Sequence, residues 1–217
     1  MSDFGILLVS ACSILVPFTV AVVRYRHFSY RFAPFWFLLL AGTLNELVSY
    51  ATAHWLHSNQ VNANCYTLIE FLLLLWLFQR IGTQRTDTLV LAVAAGLLIW
   101  FTDNIWLHGI SHSNVLFRIS SSVLIVYFSI DEATRLLLAG SANACQKTDL
   151  TICLSFFVYH TYRSFILLFS YFAAHPFSIF SRQLWLTLAG INILIHLTYT
   201  LAILWIPKQP LTSVRYS

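Results

Sequence analysis

His160 and Arg163 stand three residues apart in Phe157-Val158-Tyr159-His160-Thr161-Tyr162-Arg163, a polar patch inside an apolar segment running from about Leu150 to Phe172. At that spacing the two side chains share one face of a helix. An imidazole titrates near neutrality and a guanidinium clamps carboxylates, so the pair suits proton handling and anion binding. Both are costly in lipid unless they face protein or water, which makes them a functional-site expectation by default.

Comparable residues occur on five further apolar segments: Glu46, Glu70, Asp103, Arg118, and the pair Asn192 and His196. At about 1.5 Å per helical residue, Asp103 and Arg118 fall roughly 6 Å from the outer ends of their segments. Glu46, Glu70, Arg163 and Asn192 fall at about 12 to 15 Å, and His160 and His196 at roughly 18 to 20 Å, near a bilayer centre. Matching depths on six segments predict one outward-opening polar cavity. The charges nearly cancel, as a buried set requires. Ser49 and Tyr50, Ser121 and Ser122, and Tyr199 and Thr200 follow Glu46, Arg118 and His196 at supporting helical spacings. The competing expectation is a network that only holds helices together.

Several chemistries fit these side chains. Charged groups among Tyr and Trp could hold a small polar, zwitterionic or amphipathic ligand, with Arg163 as the anion clamp and His160 as its pH-sensitive neighbour. Glu46, Glu70, His160 and His196 are acceptable zinc or iron ligands, which would suit a metal-dependent hydrolase of lipid with Glu46 or Glu70 as base. No HExxH-type motif supports this. The paired histidines of seven-helix ceramidase-type hydrolases find here only Asn192-x-x-x-His196, one histidine short. His160 and His196 are spaced to be haem axial ligands, a weaker expectation. A retinal Schiff base is excluded, because Lys147 and Lys208 both lie in polar segments. No nucleophilic triad or phosphate loop is legible, so no catalytic residue is assigned.

These residues require membrane-spanning helices to position them. Of the 217 residues, 59% are hydrophobic and 9% charged, with a mean hydropathy of +0.75; soluble domains carry roughly 25% charged residues. The net charge of +4 forms no basic run, so nucleic acid is not an expected partner. Seven apolar spans are predicted, at about 4–23, 34–54, 61–79, 87–107, 114–138, 150–172 and 184–206, forming one all-α membrane domain over 1–217. The first span lacks a basic flank and is kept as a helix rather than a signal peptide. Arg24, Arg26, Arg31, Arg80, Arg85, Arg135, Lys147, Lys208 and Arg215 collect on one side and only Arg182 on the other. The positive-inside rule then places the N-terminus outside and the C-terminus in the cytoplasm, in a plasma or bacterial inner membrane.

Tyr25, Tyr30, Trp36, Trp55, Trp106 and Trp185 fall near span ends, as an interfacial belt requires. Cys12, Cys65, Cys145 and Cys153 are expected as free, mostly buried thiols. Asp131 and Arg135 are expected to form an ordinary i,i+4 ion pair. His27, His54, His57, His108, His112 and His175 lie at span ends or in connections and are expected to be solvated or interfacial. The polar segment Ser141 to Asp149 reads as the longest inner loop, followed later by a turn at Pro176. The leading expectation is a small-molecule-binding protein of sensor or receptor type, with a cytoplasmic partner on that loop or the Arg-flanked ones. The metal hydrolase comes second. A small transporter comes third, disfavoured because no inverted repeat and no broken helix is evident.

Overall fold

The computed structural model describes residues 3–82, 84–140, 143–172 and 179–207, and all regular structure among them is helical. The helices are α1 (Asp3–Cys12), α2 (Leu15–Val23), α3 (Ala33–Leu56), α4 (Gln60–Ile81), α5 (Thr86–Phe101), α6 (Val115–Leu138), α7 (Ala144–Phe172) and α8 (Ile179–Trp205). Six stretches are long and apolar enough to cross a membrane: Gly5–Val23, Tyr30–Leu56, Gln60–Ile81, Thr86–Leu107, Ala144–Phe172 and Arg182–Trp205. This is the pattern of a multi-pass membrane protein. α6 matches the others in length at 24 residues but carries Arg118, Asp131, Glu132 and Arg135, which keep it out of that set.

Local sequence explains how the helices begin and end. Pro34 occupies the first turn of α3, where its missing N–H would be unpaired in any case. α3 ends at His57, which takes the left-handed conformation (φ 53°) that usually closes a helix. α5 continues as a π-helical turn, Thr102–Leu107, in which the His108 amide reaches the Asp103 carbonyl five residues back. α4 and α5 approach closely because Gly96 has no Cβ; one placed there would collide with the Phe71 ring. Phe71, Phe78, Phe117, Phe128 and Phe156 form the buried aromatic core, while Leu47, Leu91, Leu98 and Leu137 face outward, as lipid contact requires.

Several expectations need correction. The first span is interrupted at Ser13–Ile14, so α1 and α2 are two pieces of the single stretch Gly5–Val23. The loop expected at Ser141 to Asp149 is mostly helix: α7 starts at Ala144, and Thr148 and Asp149 are buried because Asp149 pairs with Arg31. Ser141, Ala142, His175, Pro176, Lys208 and Arg215 lie outside the described residues. Arg135 pairs with Glu132, three residues back on the buried face, whereas the exposed Asp131 takes the Gln84 amide instead. All four cysteines are free, but only Cys153 is buried; Cys12 and Cys65 point out from their helices. Trp36 lies in the first turn of α3, half-buried against the core, while Trp55 and Trp106 are exposed as a belt demands.

Apart from α1 and α2, which continue one stretch, successive helices run antiparallel, so the bundle has two unlike ends. One, the basic end, carries Arg24, Arg26, Arg31, Arg80, Arg85 and Arg135. The other, the neutral end, carries the α3–α4 turn around His57 and Asn59 and the α5–α6 connection around His108 to Asn114.

Candidate functional site

A cavity of about 320 Å³ runs into the bundle from the neutral end, between α3, α4, α7 and α8. Each wall is a helical stripe. α3 contributes Gly42, Asn45, Glu46 and Ser49; α4 contributes Asn59 just before its start, then Ala63, Tyr66 and Glu70; α7 contributes Phe156, Tyr159, His160 and Arg163; and α8 contributes Asn192, Ile195, His196 and Tyr199. These spacings of three and four residues put each set on one face. Arg118 reaches in from α6, and Ile14 enters from the break between α1 and α2.

Of the eight residues singled out in the sequence, seven line this one cavity: Glu46, Glu70, Arg118, His160, Arg163, Asn192 and His196. Asp103 does not. It is buried beside the α5–α6 connection, where one carboxylate oxygen accepts from the Phe117 amide at 2.9 Å and the other lies 2.8 Å from His108 Nδ1. It therefore caps the first turn of α6, a favoured place for negative charge. Its depth matched Arg118, but depth along the axis does not say which way a side chain points. Consequently α5 supplies no wall, and the interrupted first span takes its place.

The charged groups differ sharply in their partners. Glu70 and Arg163 join α4 to α7, with Arg163 Nη1 donating to Glu70 Oε2 at 2.9 Å, and both side chains are largely buried. The Arg163 guanidinium also lies over the Tyr159 ring, 5.9 Å from its centroid. Arg118 is held by neutral oxygens only: Nε donates to Asn114 Oδ1 at 2.7 Å and Nη2 to Asn64 Oδ1 at 3.4 Å. Asn64 in turn ties α4 to the α5–α6 connection, donating to the Ile110 and His112 carbonyls at 2.9 and 2.6 Å. Glu46 has no hydrogen-bond or ion-pair partner among the described residues. The neighbouring Ser49 hydroxyl, expected to support it, instead accepts from Asn62 at 3.0 Å.

The two histidines are anchored separately. His160 Nδ1 lies 3.4 Å from the buried Ser122 hydroxyl of α6. His196 Nδ1 lies 2.6 Å from the Ser13 hydroxyl, and that hydroxyl donates to the Ser10 carbonyl at 2.6 Å. A hydroxyl has one proton to give, so in this contact the His196 Nδ1–H donates to the Ser13 oxygen. Asn192 donates to the Ser10 hydroxyl at 3.2 Å, so both α8 residues brace the break in the first span. Thr200, expected to support His196, bonds its backbone carbonyl instead.

Among the described residues, no group of three or more His, Cys, Asp or Glu side chains gathers closely enough to hold a metal ion. Glu46, Glu70, His160 and His196 share the cavity but not one coordination sphere. Reading the sequence alone missed Tyr66, Asn45 and Asn59 in the lining and Ser10 and Ser13 behind it. Tyr66 precedes Glu70 by one turn, and Ser10 and Ser13 are polar residues at i,i+3 in an apolar span, so both signals were present.

No protein family matches the chain, and none of the curated proteins or solved structures compared with it gives a significant match. Fold and site together define its class as a multi-pass helical membrane protein with a charged internal cavity.

Proposed function

We propose that this chain is a small-molecule-binding membrane protein of sensor or receptor type, with its ligand held in the cavity between α3, α4, α7 and α8. The observation that carries this reading is convergence: charged and polar residues from five helices line one cavity, and two of its four charged side chains, Glu46 and Arg118, have no oppositely charged partner among the described residues. α6 acts as the seventh span. Its Arg118 faces the cavity and its Glu132 and Arg135 pair near the basic end, so little of its charge meets lipid. The basic end is cytoplasmic by the positive-inside rule, which puts the N-terminus and the cavity mouth outside, across a plasma or bacterial inner membrane. Output then passes through the Arg-flanked connections at the basic end, where a cytoplasmic partner would dock.

Thermal unfolding in non-ionic detergent against a metabolite library tests this. A ligand should raise the melting temperature saturably by mass action. Ala63→Phe, which fills the cavity without removing a charge, should abolish that rise, and Arg118→Ala, which removes a cavity-lining cation that has no carboxylate partner among the described residues, should weaken it. If no compound stabilises the protein, or if stabilisation survives both substitutions, the binding reading falls.

A further inference from the structure

Resting on that binding reading, we propose that the cavity takes a small zwitterion, with its anionic group on Arg118 and its cationic group on Glu46. Four side chains that carry formal charge line the cavity. Glu70 and Arg163 neutralise each other at 2.9 Å and need nothing from a ligand. Glu46 and Arg118 are different, since neither has an oppositely charged side chain within 4.0 Å among the described residues. Arg118 bonds two asparagine oxygens, which orient it without cancelling its charge, and Glu46 bonds nothing.

An uncompensated charge inside a membrane protein is costly, and a ligand that supplies the missing counter-charge recovers that cost. A simple anion would satisfy Arg118 and leave Glu46 unpaired. A simple cation would do the reverse. Only a molecule carrying both charges matches both groups and leaves the cavity neutral. Arg118 lies roughly 5 Å from the neutral end of α6 and Glu46 roughly 15 Å from that of α3, so the anionic group sits nearer the mouth. Tyr66, Tyr159 and Tyr199 line the same space; their hydroxyls can donate to an anion and their ring faces attract a cation. At about 320 Å³ the cavity is at the small end of ligand sites, which run from roughly 300 to 1,000 Å³, so the ligand is of amino-acid size.

The test uses purified full-length protein in a maltoside, because a zwitterionic detergent could occupy the site. The probes are the common L-amino acids and O-phosphoethanolamine, and each stabilising amino acid is compared with its C-amide, which keeps the cation, and its N-acetyl form, which keeps the anion. At least one zwitterion should raise the melting temperature saturably, and each singly charged derivative should bind at least about 30-fold more weakly. Glu46→Gln should reduce the zwitterion's affinity to that of the N-acetyl form, and Arg118→Gln to that of the amide. A singly charged probe that binds as tightly as its zwitterion, with binding still abolished by Ala63→Phe, overturns the zwitterion assignment and leaves the binding reading standing. Stabilisation by library compounds but by no zwitterion has the same meaning. If stabilisation by a zwitterion is unaffected by Glu46→Gln and Arg118→Gln, the assignment also falls.

Discussion

At the basic end of the bundle each buried acid is matched by an arginine: Asp149 by Arg31, and Glu132 by Arg135. Both carboxylates are almost wholly buried while their arginines reach partly into solvent, and Arg31 also donates to the Ile81 carbonyl, tying the α2–α3 connection to α4 and α7. Arg24 closes the same end by donating to the Ile206 carbonyl beyond α8. The cavity end is built from the same residue types with a different result. Of the four charged side chains lining the cavity, Glu70 and Arg163 pair, while Glu46 and Arg118 face shared space without a counter-charge among the described residues. The Arg31–Asp149 and Glu70–Arg163 pairs join segments distant in sequence and Glu132–Arg135 neutralises charge within α6, whereas Glu46 and Arg118 have no such partner among the described residues.

That contrast can be broken by substitution. The largest loss is expected from Arg31→Ala, which leaves Asp149 buried without its cation; about 3 to 5 kcal/mol of stability should go, read as a lowered unfolding midpoint in detergent. Next comes the cavity pair. Arg163→Leu alone should cost about 3 kcal/mol by stranding Glu70, and the double change with Glu70→Leu should recover most of it, because an apolar pair replaces a buried ionic one at little net cost. A double variant as unstable as the single one would mean that Glu70 and Arg163 are held by more than each other. The smallest effect belongs to Glu46→Gln. With no partner to lose, it should change stability by less than about 0.5 kcal/mol or raise it. A large destabilisation there would erase the difference between the two ends.

Much of the cavity lining was legible in the sequence, since polarity at matching depth in apolar segments selects residues that must avoid lipid. Glu46, Glu70, Arg118, His160, Arg163, Asn192 and His196 were found that way and share one cavity. Asp103 passed the same filter for another reason, because the start of α6 needs a cap as much as a cavity needs a charge. The helix that begins at Ala144 was hidden by its own polarity. Thr148 and Asp149 read as loop because nothing local announces that Arg31, more than a hundred residues earlier, will neutralise the aspartate. The choice of Glu132 over Asp131 by Arg135 was equally invisible, since both spacings are allowed on a helix and only packing decides which acid is buried.

The sequence by itself determined that the chain is helical and suited to membrane, which residues are too polar for lipid, and how far along its helix each one lies. Those properties follow from composition, from the 1.5 Å rise per helical residue and from the cost of charge in hydrocarbon. Tertiary structure decided the pairing. Glu70 rather than Glu46 takes Arg163, neutral asparagines rather than an acid hold Arg118, and Ser13 at the break in the first span receives His196. Pairing depends on rotation about each helix axis and on which helices become neighbours. Both are set by packing between distant segments, such as Phe78 against Phe128 and Phe156, which no local pattern encodes.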